Sequence, residues 1–349
     1  MSMTFETRLE ALGLHRVVAP PGVLPQAASV LDAASPPLPS EIVIDVDLLV
    51  LDAASARQLV TEHGAAGVPA AVAAIVRKRG KMHNPNTGSG GIASGTVREI
   101  GADYPAGGLV PGASVATLVS LTLTPLHLET VGDFDEKTHQ LEVAGTAVLP
   151  ASAAVASLPD DLPREVALAA LDVAGAPSYV SELARSARRI FVLGAGTAGL
   201  LSVAAARRAA GGRAKIVVAD ASPTACARAQ RLNLADAVLH VDATDAVETA
   251  RQVHDALPGG ADLTVTVVDA PGCEAASYLS TCSDGTILFF SMATSFSAAA
   301  LGAEGIGSNV KMLIGNGFSS DRGQLALELL RIHPQLAEAL ASRAGEAHA

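Results

Sequence analysis

Apolar positions follow two rhythms along this chain. In the first part they alternate with polar ones. Ile42-Val43-Ile44-Asp45-Val46-Asp47-Leu48 has the period of two expected of a half-buried antiparallel strand. GTVREIG from Gly95, LTPLHLETV from Leu123 and HQLEVAGTAVLP from His139 read as further strands, with turns at Gly101 and Pro111-Gly112. Two helices interrupt them. One starts after Leu51, with Asp52 or Ser55 as cap, and the other runs from Pro69 to Lys78 and stops at Gly80. The stretch up to Pro39 is rich in Pro, Ala and Gly, and HRVVAPPGVLPQ reads as an extended arm.

Beyond Ser157-Leu158-Pro159 the rhythm changes. Asp160-Asp161-Leu162-Pro163 opens a helix that Asp172 to Pro177 interrupts, and a second helix runs to about Arg188. Short, mainly apolar segments then alternate with helical patterns: Ile190–Leu193, Lys215–Ala219, Ala237–Val241, Leu263–Val268, Gly285–Phe290 and Val310–Ile314. Such runs are strands buried on both faces, and their alternation with helices predicts a doubly wound parallel sheet. The expected class is α/β, with a β-rich domain over residues 1–158 and a Rossmann domain with closing helices over 159–349.

The first run of that sheet ends in Gly194-Ala195-Gly196-Thr197-Ala198-Gly199, a G-x-G-x-x-G turn leading into an Ala-rich helix. Gly194 permits the tight turn, Gly196 admits a pyrophosphate, and Gly199 lets helix and strand pack closely. Thr197 and Ala198 complete the turn as cofactor-binding positions, and the helix that follows, Leu200 to about Ala210, offers its N–H groups and positive dipole end to the phosphates. Asp220 follows Gly199 by twenty-one residues and ends the next strand, where an acid grips a ribose 2′-hydroxyl. A carboxylate there repels a 2′-phosphate, so the expected cofactor is NAD.

Composition narrows the rest. The 349 residues are 49% hydrophobic and 17% charged, with a net charge of −11, which argues against nucleic acid or an anionic membrane as partner. No apolar run reaches membrane-spanning length, and the start of the chain lacks a basic-then-apolar leader pattern, so the cytoplasm is expected. Cys226, Cys273 and Cys282 form no CxxC and read as small buried hydrophobes. The unusual loop is Lys81-Met82-His83-Asn84-Pro85-Asn86-Thr87-Gly88-Ser89-Gly90-Gly91, which gathers a lysine, a histidine, amides and hydroxyls between regular elements.

GTVREIG with VPGASV, followed by a nucleotide-binding half, resembles the medium-chain dehydrogenase/reductase architecture with its GroES-like first domain. The zinc ligands of that architecture align with Asp52, Gly91 and the neighbourhood of Ala174, so the resemblance implies a zinc-free enzyme. GVLPQ, GKMHNPNTGSGG, LTPL, LDVAGAP, FFSMATSFSAAALGAEGIG and IGNGF resemble the L-erythro-3,5-diaminohexanoate dehydrogenase family. That resemblance implies NAD-linked oxidation of (3S,5S)-3,5-diaminohexanoate, a small molecule, to (S)-5-amino-3-oxohexanoate with release of ammonia, a step of lysine fermentation. Homodimers or larger homo-oligomers are expected, because edge strands of such folds often pair.

Hydride leaves a carbon bearing nitrogen only when the amine is neutral, and an alkyl amine has a pKa near 10, roughly that of lysine. A base is therefore required. Lys81, Asp172, Glu304 and Asp52 are the candidates. Lys81 can alternatively pair with the substrate carboxylate or stand as a solvated helix-end lysine. Asp172 can be a helix cap, and Glu304 a solvated loop acid. One carboxylate, with Asp52 the substrate-binding choice, should hold the second amine. Thr87 and Ser89 suit the substrate carboxylate, His83 is a further acid or base, and Thr294 should lie near the nicotinamide. Other readings are a zinc-free quinone or enone reductase and a non-catalytic nucleotide-binding protein.

Overall fold

The computed structural model describes residues 5–315 and 320–346. Asn316, Gly317 and Phe318 of the IGNGF stretch lie outside them. The chain divides into two compact units whose main boundary falls between Asp172 and Val173, with the described residues from Arg343 onward grouped with the first. The change of rhythm after Leu158 thus precedes the division by one helix.

The first unit opens with a helix, α1 (Phe5–Ala11), ahead of the stretch read as an extended arm, and then a pair of short antiparallel strands, β1 (Val17–Ala19) and β2 (Val30–Leu31). β3 (Glu41–Val50) leads to α2 (Ala53–His63) and α3 (Val68–Arg79). There follow β4 (Ile92–Ile100), β5 (Ser114–Thr117), β6 (Leu126–Asp135), β7 (Gln140–Pro150), β8 (Val155–Ser157) and α4 (Arg164–Asp172). Six of these strands form one antiparallel sheet in the order β6-β7-β3-β4-β5-β8. β3 lies inside it and is buried on both faces over Ile42, Val43 and Ile44, more deeply than the alternation implied. Ile42, Ile44, Val46 and Leu49 pack with Val68, Val72 and Val76, so the apolar stripe of α3 closes one core.

The buried anchor of this unit is polar. Glu41 accepts from Arg16 Nε at 2.9 Å, from the Leu38 N–H at 2.7 Å, and bonds His15 Nε2 at 2.8 Å. Burial opposes its charge, but these partners win and hold its carboxyl at about 2.

The second unit contains α5 (Gly175–Leu183), shorter than the expected run to Arg188, then β9 (Arg189–Leu193), α6 (Thr197–Ala210) and β10 (Lys215–Asp220). α7 (Pro223–Leu232), β11 (Ala237–His240), α8 (Ala246–Ala256), β12 (Ala261–Thr266), α9 (Glu274–Ser280) and β13 (Thr281–Phe289) continue the alternation. α10 (Phe296–Gly305), β14 (Lys311–Ile314), α11 (Ser320–Ile332) and α12 (Pro334–Glu346) complete it. Six parallel strands lie in the order β11-β10-β9-β12-β13-β14, so the order reverses beside β9. Ligands of such sheets bind outside the carboxyl ends of the strands at that reversal. No single helix among the described residues is long and apolar enough to cross a membrane.

Candidate active site

The nucleotide cradle belongs to the second unit. Gly194 has φ +109, which a side chain would strain, and a Cβ on Gly199 would lie 1.8 Å from the Gly194 carbonyl oxygen. These two glycines therefore cannot be exchanged without moving the turn. Gly196 is the N-cap of α6 and supplies no capping side chain, an opening that suits a ligand with acceptor oxygens. Asp220 is fixed at the end of β10 by two backbone donors: Ala195 N–H to Oδ2 at 2.7 Å and Ser222 N–H to Oδ1 at 2.8 Å. A carboxylate has about four acceptor positions, and the two left over suit a vicinal diol. The residues present fit a dinucleotide.

The titratable site lies in the first unit. Asp52 caps α2, its Oδ1 accepting the Ser55 N–H at 2.9 Å, while its Oδ2 is buried without a hydrogen-bond partner. Asp172 is the last residue of α4 rather than a break within a helix. Burial and the charge of Asp52 push its carboxyl up to about 7. The C-terminal end of a helix opposes a negative charge as well. Two of the expected carboxylates are thus within each other's field.

The loop after α3 is wired to the same place. Ser55 Oγ and Thr87 Oγ1 share a hydrogen bond of 2.7 Å, and Thr87 Oγ1 accepts the Ser89 N–H at 3.3 Å. Asn84 N–H donates to the Ser89 carbonyl at 2.8 Å, and Asn84 Nδ2 donates to Gln58 Oε1 at 2.9 Å. Thr87 and Ser89 are therefore held by the helix that Asp52 caps. His83 has a buried Nδ1 without a partner, and burial, Lys81 and Arg79 lower its pKa, so its ring is neutral at neutral pH.

Lys81 is not a solvated helix-end residue. It is fully buried, and its ammonium donates to the carbonyls of Pro25 at 2.8 Å, Gln26 at 3.1 Å and Thr122 at 2.6 Å. All three hydrogens are used, and no lone pair is offered in this arrangement. Burial and Arg79 lower its pKa to about 8. Two stretches that stand out in the sequence, GVLPQ and GKMHNPN, meet on this one charge, joined by Thr122, the residue before LTPL.

Glu304 lies exposed on α10 of the second unit, in a helix where an irregular loop was expected. Thr294 is partly buried in the turn after β13, its N–H donating to the Ser291 carbonyl at 3.4 Å. Sequence reasoning missed Glu274, a buried acid opening α9 whose Oε1 accepts the Ser295 N–H at 2.6 Å. The signal available was an acid in the first turn of a helix that follows a buried strand of the parallel sheet. Among the described residues, no three His, Cys, Asp or Glu side chains gather as a metal-ligand set.

Residues 15–159 match the family described as L-erythro-3,5-diaminohexanoate dehydrogenase N-terminal domain. A Fusobacterium nucleatum protein named L-erythro-3,5-diaminohexanoate dehydrogenase is 39% identical over 326 residues, covering 91% of this chain and 94% of its own. A protein of the same name from Acetoanaerobium sticklandii is 38% identical over 324 residues, with the same coverage of 91% and 94%. A mycobacterial quinone oxidoreductase shares the fold, with a TM-score of 0.54 at 19% identity over 92% of this chain and 91% of that one. With identity of that level along nearly its whole length, the chain belongs to the L-erythro-3,5-diaminohexanoate dehydrogenase family.

Proposed function

We propose that the chain is an NAD-dependent amine dehydrogenase that converts (3S,5S)-3,5-diaminohexanoate to (S)-5-amino-3-oxohexanoate and ammonia. The observation that carries the reading is the 39% identity along 91% of the chain to a dehydrogenase named for that substrate. NAD, when bound, accepts the hydride from C3. The glycine turn and Asp220 hold the pyrophosphate and adenosine ribose. The four residues after Asp220, Ala221 to Thr224, carry no positive charge to receive a 2′-phosphate, which supports NAD over NADP.

Asp172 is the proposed base. A group with a pKa of about 7 is half ionised at neutral pH and can take a proton without holding it too tightly. It deprotonates the C3 ammonium and passes that proton to solvent before hydride departs, takes a proton from the water that adds to the substrate iminium, and returns it to the carbinolamine nitrogen so that ammonia leaves as the C3 hydroxyl loses its proton and becomes the carbonyl. The buried free oxygen of Asp52 suits the C5 ammonium, which would be costly to bury unpaired. Ser89 and Thr87 face the substrate carboxylate in this reading. Lys81 acts by holding the loop in place, and Glu304 stands outside the acid-base pair. A homo-oligomer is part of the proposal, supported by β14, an edge strand with exposed Leu313 and Ile314. Light scattering tests that part, and a monomer refutes it.

The test of function is NADH formation on mixing protein, NAD and 3,5-diaminohexanoate, with ammonia released in equal amount. Absence of NADH with this substrate, together with NADPH-dependent reduction of a quinone or enone, would replace the reading.

A further inference from the structure

The direction in which a dinucleotide lies across the second unit follows from Asp220. The acid at the end of β10 takes the adenosine ribose, and the turn after β9 takes the pyrophosphate. The other half of the molecule must then run away from β10, over the ends of β12 and β13. The strand ends are level there: Leu193 is in register with Thr266, and Thr266 with Phe289. The turn that begins at Phe290 stands two strand spacings, roughly 10 Å, from Leu193.

That turn is assembled from its own serines. Ala293 N–H donates to Ser291 Oγ at 3.1 Å, and Ser295 Oγ accepts the Ala298 N–H at 3.3 Å to open α10. Glu274 ties it to a neighbouring element. The residue is 6% exposed, and its Oε1 accepts the Ser295 N–H at 2.6 Å from the first position of α9. A buried carboxylate that accepts a backbone N–H holds it more firmly than a neutral acceptor would.

We propose that Glu274 is a positioning residue for the nicotinamide end of the cofactor, fixing the turn at residues 291–295 from beneath through the Ser295 amide. The inference rests on the reading of the second unit as a nicotinamide dinucleotide site. Glu274 acts on the turn and not on the adenosine half, which Asp220 and the glycines hold.

The experiment compares NADH with ADP-ribose, which lacks the nicotinamide. In Glu274→Ala the Kd for NADH, read by fluorescence titration, is expected to rise roughly tenfold or more while the Kd for ADP-ribose is unchanged. Glu274→Gln keeps an oxygen acceptor for the Ser295 amide and is expected to restore most of the NADH affinity. Equal losses for both ligands in Glu274→Ala, or unchanged NADH affinity, would overturn the proposal. A wild-type protein that binds neither ligand would refute the underlying cofactor reading, which separates the two failures.

Discussion

The carboxylate of Asp220 accepts the amide hydrogen of Ala195 at 2.7 Å, so the acid ending β10 and the glycine turn ending β9 are one structural piece. Asp220→Ala should therefore loosen the turn as well as release the ribose. A lost charge-assisted hydrogen bond is worth about 1.5–3 kcal/mol, so KM for NAD should rise roughly 10- to 100-fold. Discrimination against NADP should relax in the same variant. Initial rates with both cofactors decide it, and unchanged constants for both would remove Asp220 from recognition.

Asp172 sets the expected pH dependence of turnover. With its carboxyl at about 7, kcat/KM should fall as pH drops below neutrality. Asp52→Asn removes one of the two causes of the elevation, so the acidic limb should move to lower pH. Asp172→Asn should lower kcat by about 10²- to 10⁴-fold. The same elevation destabilises the fold. Between the usual carboxylate range and about 7 the folded state binds a proton that the unfolded state has lost, so stability declines as pH rises through that window. Asp172→Asn should raise Tm at pH 8 relative to wild type, with little change at pH 4, as read by calorimetry.

Glu41 shows the opposite sign. Its carboxyl is held at about 2 in the folded state, so its contribution is complete above the ordinary glutamate range and is lost as pH falls towards 2. Glu41→Ala leaves Arg16 buried without its carboxylate partner and should cost about 3–5 kcal/mol at neutral pH. Urea denaturation of wild type and variant checks this, and the difference should narrow at acid pH.

Lys81→Met should separate fold from cofactor binding. Three carbonyls lose their common donor, and each buried unsatisfied group costs about 1–3 kcal/mol, so a loss of several kcal/mol in stability is expected. Turnover should fall with it. ADP-ribose binding, a property of the second unit, should survive. A variant as stable as wild type but without turnover would restore Lys81 as a proton-transfer group.

The parallel half was easy to read because buried parallel strands are unbroken apolar runs and the glycine spacing has few physical alternatives. Ile190 to Leu193 is of this kind. α10 escaped because Phe296 to Gly305 is mostly Ala and Gly, without a polar face to mark a helical period. The part of the first unit that matters chemically depends on contacts that local pattern cannot encode. Lys81 meets a carbonyl 56 residues away, and Ser55 meets Thr87 across 32. Asp172 was visible as a charge among apolar residues, but its nearness to Asp52 required the fold. Glu274 looked like any acid in a first helical turn.

Asp52 opens a helix with one oxygen and keeps the other in reserve. Redesign for other amines meets a coupled choice there, since in the proposed role of Asp52 swapping that side chain alters recognition and removes the cap of α2 together. Position 87 carries a similar coupling, because Thr87 Oγ1 shares a hydrogen bond with Ser55 of the same helix. Diversity introduced at 52 would be screened for survival of the fold before it was ever screened for substrate.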